Sequence, residues 1–222
     1  MPAPVREDSF PNLEVERGLW TEGYRVVVGI DEAGRGAWAG PVVAAAVVFE
    51  PTLAAGTSSL APVRDSKLLS ARQRDVCYDV VLENAWFWGI GALPAAQIDA
   101  IGILNATRQA MTLAVQALAC SAEYLLIDAV RLSGLAFPQQ AIVRGDRQCL
   151  SIAAASILAK VTRDRMMREL ERAIPGYGFC SHKGYGTSFH RAALDELGPS
   201  AVHRYSYAPV AALRRDPSNG RP

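Results

Sequence analysis

Residues 25–49 limit the possible folds more than any other stretch of the chain. Residues 25–30 hold a short continuous run of β-formers (Val26, Val27, Val28 and Ile30), and residues 42–49 form a second apolar run of the same kind. The link between them contains Gly34, Gly36, Gly40 and Pro41 and is too short for a crossover, so the two strands are predicted to be antiparallel neighbours. Residues 86–90 and 124–127 read as a third and a fourth strand, with a short fifth strand predicted over 141–143.

The intervening segments have helical signatures. A short helix is predicted over 13–19. Ser70 and Gln73 form a capping box before a helix whose apolar stripe is Val76, Val80 and Val81. Residues 98–119 are helical in pattern, broken near Gly102 and restarted at Asn105 as N-cap. Residues 151–173 form a long helix stopped by Pro175-Gly176, and 188–197 a shorter one ended by Gly198-Pro199. Residues 51–63 and 176–187 read as loops, and 214–222 as a disordered end. Strands that begin as a meander and then alternate with helices imply an α/β layered fold with a mixed sheet.

Composition bounds the function classes. With 222 residues, half of them apolar, the chain can bury an ample core as one large domain or one domain with an appendage. Cys77, Cys120, Cys149 and Cys180 lie far apart with no C-x-x-C pair, which argues against a zinc site or a disulfide framework. Residues 1–10 have no apolar h-region, and the strongest apolar runs are too short to span a bilayer, so a soluble cytoplasmic protein is expected. The net charge of +1 excludes a generic polyanion binder. However, residues 144–172 hold seven basic residues (Arg144, Arg147, Lys160, Arg163, Arg165, Arg168 and Arg172) against four acidic ones. Such a stretch suits phosphate contact, and equally a solvated helix face of i,i+4 ion pairs.

The chemistry is concentrated where apolar strands end in acids. Asp31 and Glu32 follow Ile30 directly, and Asp128 follows Leu125-Leu126-Ile127 in the same way. The pair alone also fits a strand that ends in a polar turn. If the two strands adjoin, Asp31 and Asp128 meet at one edge of the core, and Asp146 after Gly145 is a candidate fourth carboxylate. Clustered carboxylates repel one another unless a cation holds them ionised. All-oxygen ligands suit Mg²⁺ or Mn²⁺, and two such ions about 3.5–4 Å apart can serve an in-line phosphoryl displacement. Gly34-Arg35-Gly36 permits close backbone approach to a ligand and offers a guanidinium fork, although a tight turn would use the same residues. In Lys183-Gly184-Tyr185-Gly186-Thr187 the Tyr185 ring is free to stack on a sugar or base, or to cover a small core. Asp65-Ser66-Lys67 and His203-Arg204 are polar loop groups within the reach of a phosphate.

Taken together, these stretches resemble ribonuclease HII, the bacterial type 2 ribonuclease H. The resemblance spans nearly the whole chain. It includes Gly29-Ile30-Asp31-Glu32-Ala33-Gly34-Arg35-Gly36, Ala39-Gly40-Pro41-Val42, Asp65-Ser66-Lys67, Ile127-Asp128, Gly145-Asp146, the run from Ser151 to Asp164, His182-Lys183-Gly184-Tyr185-Gly186-Thr187 and Gly198-Pro199. It implies a ribonuclease H-like α/β fold: a mixed five-stranded sheet flanked by helices, with a C-terminal helical extension. On this reading residues 1–22 are a polar lead-in, 23–174 the catalytic core, 175–213 the extension with a substrate-contacting loop, and 214–222 the tail.

The resemblance also implies a monomeric endoribonuclease that uses Mg²⁺ or Mn²⁺, two ions during catalysis. Asp31, Glu32 and Asp128 would hold the metal, with Asp146 as the fourth catalytic carboxylate. Gly34, Arg35 and Gly36 would surround the 2′-hydroxyl, Lys67 would contact substrate, and Tyr185 would pack on the next sugar at an RNA-to-DNA junction. The implied substrates are RNA/DNA hybrids and duplex DNA with embedded ribonucleotides, cut on the 5′ side to leave a 3′-hydroxyl and a 5′-phosphate, as ribonucleotide excision repair requires. One departure stands out: Ala37-Trp38 replaces the Pro-Leu that usually follows Gly-Arg-Gly, which restores an N–H donor and is expected to repack the hairpin. A hybrid-gripping module without activity, or another two-metal nuclease on the same fold, are the competing readings. The intact acid set opposes the first, and the pairing of Gly34-Arg35-Gly36 with Tyr185 opposes the second.

Overall fold

The computed structural model describes residues 10–55 and 58–213; the expected disordered end at 214–222 lies outside them. The chain enters through α1 (Glu14–Thr21) and forms the hairpin of β1 (Val27–Ala33) and β2 (Val42–Val48). It continues through α2 (Ala71–Asn84), β3 (Phe87–Leu93), α3 (Ala95–Ile101), α4 (Ile103–Gln116), β4 (Tyr124–Asp128) and β5 (Gln139–Ile142). After these come α5 (Leu150–Ala173), α6 (Phe179–His182), α7 (Ser188–Leu197) and α8 (Ala208–Ala211). The sheet order is β3-β2-β1-β4-β5. β2 is antiparallel to both its neighbours, while β4 runs parallel to β1 and β5. This is the expected mixed five-stranded sheet with helices on both faces.

Strand alternation divides the core in two. Val28 and Ile30 of β1, Leu125 and Ile127 of β4 and alternate β2 residues pack against Ala106, Ala110, Met111 and Ala114 of α4. On the other face Ala45 and Val47 meet α2 and the apolar half of α5, including Ile157 and Leu158. Burial of each such Ile or Leu contributes on the order of 1.5–3 kcal/mol. The α5 backbone lies so close to β1 that a Cβ added at Gly29 would fall 2.2 Å from the carbonyl carbon of Ser151. The N-terminal segment docks there too: Glu16 Oε1 accepts from Ser151 N at 2.9 Å and from Ser151 Oγ at 2.6 Å, capping the first turn of α5.

Four local expectations need correction. β1 does not stop at Ile30, because its ladder with β2 continues through Asp31↔Ala45 and Glu32↔Ala44. Both carboxylates are therefore strand residues, opposite small alanines. Helix α4 restarts at Ile103, with Gly102 (φ +78°) as its N-cap, while Asn105 lies inside the helix and donates its side chain to Ile101 O. Val76 is 54% exposed, leaving Cys77 and Val81 as the buried residues of α2. The two predicted loops contain short helical turns, Pro51–Ala55 and Ser58–Leu60 in the first and α6 in the second. Among the described residues no helix is long and apolar enough to cross a membrane.

Candidate active site

Parallel pairing of β1 with β4 ends at Ile30↔Ile127, so the next residues on the adjacent strands are Asp31 and Asp128. By alternation both face α5, as Val27 and Leu126 do. Asp31 is buried and Asp128 half-buried. Asp31 Oδ1 accepts from the Glu32 amide at 2.7 Å, and Asp128 Oδ1 from the Gly145 amide at 2.8 Å. That second bond ties β4 to the turn Gly145–Arg147, which presents the buried Asp146 beside the start of α5. Ala129 and Arg144 flank these acids in the left-handed region, φ 55° and 56°. A non-glycine residue there costs on the order of 1–3 kcal/mol, which the surrounding contacts must sustain.

The acids face a few cations. Arg35 NH1 lies 3.2 Å from Glu32 Oε1, and Lys67 Nζ lies 3.5 Å from Asp146 Oδ2. Lys67 is held at the rim by Asp65, which is buried, accepts the Lys67 amide at 2.9 Å and pairs with Arg147 Nε at 3.3 Å. Burial raises Asp31 well above the ordinary carboxylate range, and the charges of Glu32, Asp128 and Asp146 push the same way. Burial also raises Glu32, against the pull of Arg35. Asp146 is raised by burial and then by Asp65, partly offset by Lys67. For Lys67, burial opposes the charge, yet Asp146, Asp31 and Asp65 together raise it.

A divalent cation fits this arrangement. Glu32 Oε2 is buried with no hydrogen-bond partner, an acceptor left free at the edge of an acid cluster. Among the described residues no ready-made group of three or more acid, imidazole or thiolate side chains could hold an ion. Mg²⁺ does not need one, since it keeps several waters and takes substrate phosphates alongside one or two carboxylates.

The glycine turn and the tyrosine loop meet through a residue whose role the sequence concealed. Arg163 of α5 is fully buried, and its guanidinium donates to Pro41 O (2.9 Å), Lys183 O (2.9 Å) and Ala39 O (3.1 Å). It therefore joins the hairpin to the loop that carries Tyr185, whose ring centroid lies 5.4 Å from Arg163 Cζ and 5.8 Å from Lys160 Nζ. Tyr185 itself is about a third exposed. Trp38 fills the space over Gly186, with its ring 5.6 Å from that of His190.

The expectation that His203 and Arg204 touch phosphate is wrong: both are fully buried. Arg204 spends its donors on Gly40 O and Arg35 O, a second clamp on the hairpin. The basic stretch is likewise largely satisfied from within, through Lys160 to Asp164 (2.7 Å), Arg172 to Glu169 (2.6 Å) and Arg165 to Asp75 (3.9 Å). Of these, Lys160–Asp164 is an i,i+4 pair and Arg172–Glu169 an i,i+3 pair, while Arg165–Asp75 joins α5 to α2.

Known proteins share this fold. Residues 28–210 match the family model for ribonuclease HII. The ribonuclease HII of Chloroflexus aggregans is 55% identical over 203 residues, covering 91% of this chain and 96% of that one. The solved ribonuclease H2 of Pyrococcus horikoshii superposes with a TM-score of 0.69 at 21% identity, over 84% of this chain and 96% of that one. The structure of Bst-RNase HIII in complex with Mn²⁺ gives a TM-score of 0.62 at 19% identity, over 87% and 71%. At those identities the two structures speak to the fold alone. Matched over nine-tenths of its length at more than half identity, the chain belongs to the ribonuclease HII family, nucleases that hydrolyse the RNA of RNA/DNA hybrids.

Proposed function

We propose that this nuclease also cuts on the 5′ side of ribonucleotides embedded in duplex DNA, leaving a 3′-hydroxyl and a 5′-phosphate. The observation that carries the reading is the Arg163 joint, which bonds Ala39 and Pro41 of the hairpin to Lys183 in the loop of Tyr185 and packs against Gly34 beside the acid cluster. The 2′-hydroxyl is the feature that distinguishes RNA from DNA at a given sugar, and it both donates and accepts. Backbone groups of Gly34, Arg35 and Gly36 receive that hydroxyl, Arg35 and Lys67 face the flanking phosphates, and Tyr185 packs on the following deoxyribose. The site reads a junction rather than a sequence.

Asp31, Glu32 and Asp128 would hold Mg²⁺ or Mn²⁺, with Asp146 completing the acid set; the Mn²⁺ bound to the ribonuclease HIII neighbour is in keeping with that choice. When bound, one or two such ions supply an activated water and charge stabilisation for the phosphoryl displacement. The chain's own residues do the rest. Lys67 partners Asp146, Arg35 orients Glu32, and the Gly145 amide fixes Asp128.

Saturating Mn²⁺ is expected to raise Tm, because an ion that binds the folded acid cluster and not the unfolded chain stabilises by mass action, about 2.7 kcal/mol at a hundredfold excess over Kd. Asp31→Asn should lose most of that shift. An equal shift in both proteins, read by differential scanning fluorimetry, would place the ion elsewhere.

The junction role is tested on a duplex with one embedded ribonucleotide against a long hybrid. Tyr185→Ala is expected to slow the first by about five- to 150-fold, the ~1–3 kcal/mol of a lost stacking contact, and the second by less. Tyr185→Phe should retain more activity than Ala. Unchanged single-ribonucleotide cleavage in Tyr185→Ala would make the ring a lid over the small core and remove the junction role.

A further inference from the structure

The chain has three histidines. All are buried, and they gather beneath the Tyr185 loop in the small C-terminal core around Tyr177 and Phe179. His182 and His190 stack at 4.4 Å. Their hydrogen-bond partners fix the tautomers, because a backbone N–H can only donate. Gly184 N donates to His182 Nδ1 at 3.1 Å, so the His182 hydrogen is on Nε2 and goes to Tyr177 O at 2.7 Å. Ser200 N donates to His203 Nδ1 at 3.0 Å, so His203 also carries its hydrogen on Nε2. That nitrogen meets His190 Nε2 at 3.1 Å, which must therefore accept. His190 is left with its hydrogen on Nδ1, and donates it to Tyr185 O at 3.0 Å. One arrangement of three neutral rings satisfies every bond. Burial, followed for His203 by the adjacent His190, holds His203 down to about 4, in keeping with a neutral relay.

The relay has two anchored ends. His203 bridges Ala39 of the hairpin, and the next residue, Arg204, donates its amide to Trp38 O at 2.8 Å. At the other end the bond reaches the backbone of the residue that packs on the substrate sugar. We propose that His190, oriented by His203, is a positioning residue that fixes the height of Tyr185 over the junction sugar and so sets the preference for single embedded ribonucleotides over long hybrids. His190 touches no substrate; it acts through the Tyr185 carbonyl. This inference rests on the proposed junction role of Tyr185.

The test reads the ratio of initial rates on a single-ribonucleotide duplex and a long hybrid, with Tyr185→Ala alongside. His190→Leu removes the donor and is expected to lower that ratio on the order of fivefold to tenfold, the worth of one hydrogen bond. His190→Asn, whose side-chain amide reaches the place of Nδ1, should restore most of it. In a Tyr185→Ala background His190→Leu should change the ratio little further, since the two act through one contact. His203→Gln keeps a donor toward His190 and should stay near wild type, whereas His203→Leu should fall; this pair serves if His190→Leu does not fold. An unchanged ratio in the His190 and His203 variants, with Tyr185→Ala still defective, overturns the relay alone. Equal slowing on both substrates reduces His190 to a packing residue. An unchanged Tyr185→Ala overturns the junction role itself, and the relay with it.

Discussion

Asp31→Asn, Glu32→Gln and Asp128→Asn are each expected to lower hybrid cleavage by three orders of magnitude or more, about 4 kcal/mol of transition-state stabilisation, without unfolding the protein. Asp31 and Asp128 leave adjacent strands on one face, and Glu32 carries a buried oxygen with no partner. Each amide keeps the size of the acid and removes a charge from a crowded site. The stability outcome has a definite sign for Asp31. Its folded pKa is raised, first by burial and then by neighbouring acids, so the ionised form weakens the folded state at neutral pH. That penalty fades as pH falls through the raised value toward the unfolded value near 4. Metal-free Asp31→Asn should therefore melt no lower than wild type at pH 7, and any advantage should shrink toward pH 4. Asp146→Asn should be milder, because Asp146 sits on a turn and already has Lys67 as partner. Initial rates with thermal melts in a chelator check all of this. Full activity in any of the first three variants would remove that residue from the acid set, and a large drop in Tm would mean that its loss of activity is a folding defect.

How much of this was legible in the sequence depends on the range of the forces involved. Apolar runs at 25–30, 42–49 and 124–127 announce strands because burial acts residue by residue, and an acid at the end of such a run has no bland place in the core. Asp31, Glu32 and Asp128 are legible as candidates for that reason, once two strands deliver acids and not one. The extension of β1 through the acids was not, because it depends on alanines in β2 opposite them. Arg163 and Arg204 read in sequence as surface cations. Their burial is paid for by carbonyls at Ala39, Pro41, Lys183, Gly40 and Arg35, acceptors 20 to 169 residues away that no local pattern displays. The histidines are the same case, since a neutral relay needs three segments to arrive together. Gly102 reads in sequence as a break, but that one residue with positive φ suffices to start the next helix is a backbone fact, and Asn105 is the stronger side-chain signal.

Gly34→Ala should damage both fold and reaction, while Gly36→Ala, two residues on, should fold normally. Gly34 has φ +94°, which an alanine adopts only with strain, and its added Cβ would lie 2.0 Å from Arg163 Nε and 2.5 Å from Cδ. A long arginine tip often swings away at little cost, but this one is pinned by three carbonyls. Either the hairpin or the guanidinium must move, and a displaced guanidinium leaves the buried Ala39 carbonyl and two part-buried ones without their donor, at a cost on the order of 1–3 kcal/mol for the buried group and less for the others. A loss of about 3 kcal/mol translates to a Tm lower by roughly 6–12 °C in a domain of this size. Because Arg163 also supports the Tyr185 ring, the movement spreads from the Gly34 turn to the Tyr185 loop. A further loss of about a hundredfold in single-ribonucleotide cleavage follows for the protein that remains folded, of the size seen when reacting groups shift by about 1 Å. Gly36 has no heavy atom within 4 Å of an added Cβ and no positive φ, so its alanine variant separates substrate contact from packing. A Gly36→Ala enzyme that melts like wild type but cleaves poorly would put the substrate backbone against that turn; one that is fully active would move the 2′-hydroxyl contact to Gly34 and Arg35. If Gly34→Ala kept both wild-type Tm and wild-type rate, Arg163 would not be the rigid joint described, and the coupling between turn and tyrosine would be lost with it.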